Sequence, residues 1–266
     1  MQESIDMKQD TKRFVVPPGL TNEGQIREAL QLIVYLNEQN GKPSDVVLFI
    51  PTKAQLDGTT IDATLGERVC RALKKGEGVS LSGGSFLTCE TKRTFKNYMS
   101  TEVILCAFPD KDMLKAVDSV KSLKLAVIVP WHMEEIAEWV RAWNPVILGK
   151  EHGEAERLIA NPVVEEAIAM LTRHINLSTG LINPSDKRSA IELLKILRDN
   201  GELYDPASLR AWALRHGWSP QGAEDLEKYA QAILQRKPVQ GNKHAWNPNI
   251  ISILRQKASE KESSGN

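Results

Sequence analysis

The sequence is short of the features that mark most secreted, membrane-bound or nucleic-acid-coating proteins. It has three cysteines in 266 residues, Cys70, Cys89 and Cys106. An odd number at wide spacing fits neither a disulfide framework nor a zinc site, both of which want close pairs. No apolar run approaches the roughly 18 residues that a membrane span requires. The amino-terminal MQESIDMKQDTKRF has no apolar signal core. Net charge is also missing, since 34 Lys and Arg balance 34 Asp and Glu. Without a global field, contact with nucleic acid or an anionic membrane needs a local patch. These absences lead us to expect a cytoplasmic protein with reduced thiols, no metal and no membrane.

What is present is a change of period along the chain. Val46-Val47-Leu48-Phe49-Ile50 stops at Pro51, Val103 to Phe108 at Pro109, and Leu125 to Val129 at Pro130. A shorter run, Val146-Ile147-Leu148, stops at Gly149. Short apolar runs without alternation are strands buried on both faces. Helical patterns lie between them, at Leu65 to Lys75, Asp112 to Leu123 and Met133 to Trp143. An earlier helix is expected from Asn22, where Gln25 three residues on resembles a capping box, to Gly41. Strands alternating with helices give βαβ units and a Rossmann-like parallel sheet flanked by helices.

After residue 160 the strand signals cease. Asn161-Pro162, Asn183-Pro184, Asp205-Pro206 and Ser219-Pro220 each pair a capping residue with proline at the first helical position. The division expected is a flexible segment 1–19, a Rossmann-like α/β domain 20–150, an all-helical domain 160–237, and a basic, partly disordered tail 238–266.

Candidate chemistry follows from geometry, because an open parallel sheet binds ligands beyond the carboxyl ends of its strands. The residues expected there are Thr52 and Lys53, Gly83, Gly84 and Ser85, Asp110, and Trp131 and His132. Gly83-Gly84 is either a phosphate cradle or a tight turn. Lys92 and Arg93 stand just downstream. Neither GxGxxG nor GxxxxGKS/T occurs, so the dinucleotide fingerprint and the P-loop are absent. His132 reads as a general base or as a helix cap. With Asp110 to orient it and Ser85 as hydroxyl it forms a conceivable nucleophilic set, although no GxSxG elbow surrounds Ser85. Trp131, Trp139 and Trp143 make either a stacking platform or a core wedge.

The expected function is binding of a nucleotide or another phosphorylated small molecule at the carboxyl edge, as enzyme or sensor, with no cofactor specified. The alternative is a non-enzymatic interaction module or a nucleic-acid-associated regulator. That reading would use the helical domain and the weakly nucleic-acid-binding tail, where Arg236, Lys237, Lys243, Arg255 and Lys257 gather. Leu209 to Leu234 has the layout of a helix-turn-helix, but Glu224, Asp225 and Glu227 put acid where a recognition helix meets phosphates. A homo-oligomer is left open.

Overall fold

The computed structural model describes residues 11–19, 22–39, 44–82, 84–96, 100–177, 179–239 and 246–264, with Asn22, Glu23 and Ser264 described by backbone alone. The chain divides into two compact units, residues 6–154 and residues 155–266 (the latter grouped with residues 1–5).

The first unit is a seven-stranded sheet in the order β3-β4-β2-β5-β6-β1-β7. The strands are β1 Lys12–Val15, β2 Val46–Ile50, β3 Val79–Ser80, β4 Phe86–Thr91, β5 Val103–Ala107, β6 Leu125–Val129 and β7 Val146–Ile147. All pairings are parallel except β3 with β4. The helices are α1 Asn22–Gln39, α2 Thr60–Leu65, α3 Glu67–Lys75, α4 Lys111–Asp118 and α5 Ala137–Trp143.

The apolar runs lack alternation because both faces of the sheet are covered. Val46, Leu48, Ile50, Leu105 and Val127 pack with Ile26, Ala29 and Ile33 of α1, Ile61 of α2 and Leu73 of α3. The intervening Val47, Phe49, Ile104, Cys106 and Ile128 pack with Met113 and Val117 of α4 and Trp139 of α5. The α/β class expected from the sequence is therefore the observed one.

Three strands depart from the apolar pattern. Residues 12–15 are not part of a flexible leader, since β1 is an interior strand between β6 and β7. It escaped notice because Lys12 and Arg13 interrupt its apolar pattern. β4, FLTCET, was missed because its one deeply buried apolar residue is Leu87 and the rest is half-covered or polar. Val79-Ser80 forms a short antiparallel strand at the sheet edge.

The second unit is helical: α6 Pro162–His174, α7 Pro184–Asp199, α8 Pro206–Arg215, α9 Pro220–Leu234 and α10 Ile250–Ser264. All four cap-proline pairs work as their chemistry dictates. Asn161, Asn183, Asp205 and Ser219 each accept a hydrogen bond from a backbone N–H in the first turn of the helix they open. The partly disordered tail is a second correction at domain level. Residues 250–264 form α10, which buries Ile250, Leu254 and Ala258 and packs on α6. The polar ASEKESS stretch hid a helix whose apolar contacts lie one turn earlier.

Candidate functional site

Strand β2 is followed by helices on one face of the sheet, and its neighbour β5 by a helix on the other. This is a topological switch point, the place at the carboxyl edge where open parallel sheets bind ligands. From β2 come Thr52 and Lys53, both exposed. Thr52 precedes a 3-10 turn at Lys53–Leu56, and Lys53 Nζ donates to the Lys74 carbonyl at 2.6 Å. From the end of β4 comes Lys92, whose Nζ donates to Asp110 Oδ2 at 2.6 Å and to Asp112 Oδ2 at 3.0 Å. Asp110 also caps α4, its Oδ1 accepting from Met113 N at 2.9 Å. Partial burial alone would raise the Asp110 pKa, but Lys92 and the Met113 amide outweigh it and hold the carboxyl below its ordinary value. Arg93 is exposed beside Lys92 and makes no hydrogen bond or ion pair among the described residues.

The centre of this edge is strained. Phe108, the residue after β5, is buried and has φ of 55°, a left-handed conformation that bulky side chains avoid. Its amide donates to the Val129 carbonyl at 2.7 Å, and its ring lies against Trp131 with centroids 3.9 Å apart at 15°. Such strain persists only where surrounding structure enforces it, and it gathers at functional sites. His132 is exposed at the cap position before the 3-10 turn Met133–Ile136, and its backbone N–H donates to Glu135 Oε2 at 3.4 Å.

The structure thus brings Thr52, Lys53, Asp110, Trp131 and His132 to one edge, as the sequence implied, but not Ser85 or Gly84. Because β3 runs antiparallel to β4, the turn between them lies at the amino edge of the parallel strands. Ser85 precedes β4, five paired residues (roughly 16 Å) from the carboxyl edge. It is 3% exposed and its Oγ accepts from Asn37 Nδ2 at 3.3 Å. A Ser85-Asp110-His132 nucleophilic set is therefore excluded by the sheet itself. Gly84 has φ of 88° in a turn closed by Leu81 N donating to Ser85 O at 2.8 Å, which is the turn alternative rather than a phosphate cradle. Gly83 lies outside the described residues. Gly84→Val is accordingly expected to cost about 1–2 kcal/mol in urea unfolding while leaving ligand response at the carboxyl edge intact. A lost response at unchanged stability would contradict this placement.

The other candidate groups resolve as structure. Trp139 and Trp143 donate through Nε1 to Asp118 at 3.3 and 3.0 Å, so they wedge α5 against the sheet. Burial pushes Cys70 up to about 11, Cys89 up to about 12 and Cys106 higher than its ordinary value, so none supplies a thiolate near neutrality. Among the described residues no cluster of His, Cys, Asp and Glu could hold a metal ion, and no helix is long and apolar enough to cross a membrane. Neither Phe108, whose φ leaves no trace in the residue order, nor Gln25, whose spacing from Asn22 resembles a capping box, is legible in the sequence as a site residue.

Comparison with known proteins touches only the helical unit. Residues 160–255 match a family described as a domain of unknown function, DUF1889. The match covers α6 to α9 and stops within α10, and its description names no activity. No curated protein and no solved structure matches the chain.

Proposed function

We propose that the 6–154 unit binds a phosphorylated small molecule, a nucleotide foremost, at the carboxyl edge over the β2–β5 switch point. The observation that carries this reading is that cations from two loops, Lys53 after β2 and Lys92 and Arg93 after β4, stand at the same sheet edge as the enforced conformation of Phe108. Lys53 spends its donor on a neutral carbonyl and Arg93 is uncommitted, so both keep charge for a phosphate. Lys92 is held in place by Asp110 and Asp112, a preset position for a group that would otherwise be mobile. His132 and Trp131 border the same edge, the one as a titratable group and the other as an aromatic wall. The reading includes a cytoplasmic location, in keeping with three cysteines that form no disulfide.

The interaction-module alternative draws less support. Arg255 is paired with Glu202 at 2.8 Å and Lys261 with Glu166, so two cations of the basic tail are engaged within their own unit.

A thermal-shift series with inorganic phosphate, ribose 5-phosphate and nucleoside monophosphates tests the proposal. A ligand at 100 times its Kd adds about 2.7 kcal/mol, a rise of roughly 5–10 °C for a unit this size. Lys92→Ala with Arg93→Ala is expected to remove that rise while leaving the unliganded melting temperature near native, since exposed pairs contribute little. No rise with any phosphorylated compound would refute the reading.

A further inference from the structure

Gln25 lies in the first turn of α1 and is 2% exposed. Its Nε2 donates to Val16 O and to Pro130 O, both at 3.3 Å. These carbonyls leave β1 and β6 at the carboxyl edge, where the sheet ladder ends because Pro17 and Pro130 have no N–H. The amide orientation is fixed by its neighbours: an oxygen turned toward two carbonyl oxygens would be repelled. Oε1 is therefore the prong facing away from them, and no donor among the described residues reaches it. A buried amide oxygen without a donor carries a free-energy penalty and calls for a reason.

Its location supplies one. β1 is followed by a helix on one face and its neighbour β6 by a helix on the other, so β6 and β1 form a second switch point in the same sheet. Trp131 follows Pro130 directly, is half-buried, and packs against the core cluster that holds Val16 and Ile26. β5 is adjacent to β6, so the end of β5, where the Lys92 ammonium meets Asp110, lies one to two strand spacings (about 5–10 Å) along the sheet from this switch point.

We infer that Gln25 Oε1 is the acceptor for an N–H of the ligand's base, so the phosphorylated ligand is a nucleotide carrying an amide or amino edge. The inference rests on the phosphate reading above and adds its substrate class. The base enters at the β6–β1 switch point, where Trp131 follows Pro130 and shifts to admit it. One ribose then spans the distance to the Lys92 ammonium, which Asp110 holds at the end of β5. The sugar and phosphate contacts are common to all nucleotides, and Gln25 requires the N–H.

The test is binding by titration calorimetry to the full chain. The probes are the adenosine, guanosine, cytidine and uridine 5′-monophosphates, with purine riboside 5′-monophosphate, whose base has no N–H, and ribose 5-phosphate. At least one natural nucleotide is expected to bind about tenfold more tightly than purine riboside 5′-monophosphate. It should also shift tryptophan emission in the wild type, and less so in Trp131→Phe. Gln25→Lys keeps donors for Val16 and Pro130 but has no acceptor, and it should abolish the tenfold preference while ribose 5-phosphate binds as before. Equal affinity of the wild type for bases with and without an N–H would overturn the inference alone, leaving water as the partner of Oε1. Binding by none of the phosphorylated probes would overturn the phosphate reading with it. The wild-type comparison stands even if Gln25→Lys does not fold.

Discussion

Asp118→Ala is expected to remove about 3–5 kcal/mol of stability from the α/β unit, the loss typical when one partner of a buried charge pair is deleted. Asp118 is 5% exposed at the end of α4 and accepts from the indole N–H groups of Trp139 and Trp143. Its charge also faces Arg13 of β1, whose guanidinium lies 3.6 Å over the Trp143 ring. Burial lowers the Arg13 pKa to about 10, with the Asp118 charge opposing that shift, so Arg13 stays charged at neutral pH. Alanine at 118 would leave a buried cation and two indole donors unmatched. Melting is expected roughly 10 °C lower by calorimetry. Adding Arg13→Met should recover part of the loss, because the orphaned charge leaves with it. A fall of less than about 1 kcal/mol would mean that water replaces the carboxylate. Ligand response per folded molecule should be unchanged, which separates a tryptophan wedge from a stacking platform.

That cluster also shows why part of the fold was legible and part was not. β2, β5 and β6 announce themselves because their burial on both faces admits only apolar residues, and proline ends each of them. β1 lies inside the sheet between β6 and β7, yet Arg13 is tolerated because Asp118, more than 100 positions away, supplies its partner. No local window contains that fact. The same limit applies to the candidate site. Thr52, Lys53, Asp110, Trp131 and His132 were found because the end of a parallel strand is a sequence signal. Ser85 was misplaced because strand direction is not: the two residues of β3 read the same parallel or antiparallel. Gln25 has the spacing of a capping box, and only the meeting of β1 with β6 gives its amide other partners.

The docking of α10 gives the other large expected effect. Leu254 is fully buried where α10 packs on α6, between Ile250 and Ala258. Leu254→Ala is expected to cost about 2–5 kcal/mol, the transfer of the lost methyl groups plus the cavity they leave. Around it, Trp246 Nε1 donates to the Ser189 carbonyl at 2.8 Å, and Lys261 pairs with Glu166, which also takes Arg173 at 3.1 Å. Glu166 is 4% exposed; burial alone would raise its pKa, but the two cations outweigh burial and hold it below the ordinary glutamate value. A carboxyl depressed in the folded state contributes stability above its unfolded pKa, about 4.3, and loses it as pH falls through the folded value. The helical unit is therefore expected to hold α10 at neutral pH and to loosen it in acid below about pH 4.3, with Glu166→Gln flattening that limb of the profile. Hydrogen exchange should report Leu254→Ala as faster exchange concentrated in residues 250–264 at neutral pH. It should report acid as the same segment opening first. If those amides exchange as slowly as the α6 core in both cases, α10 is an integral part of that core rather than a docked helix.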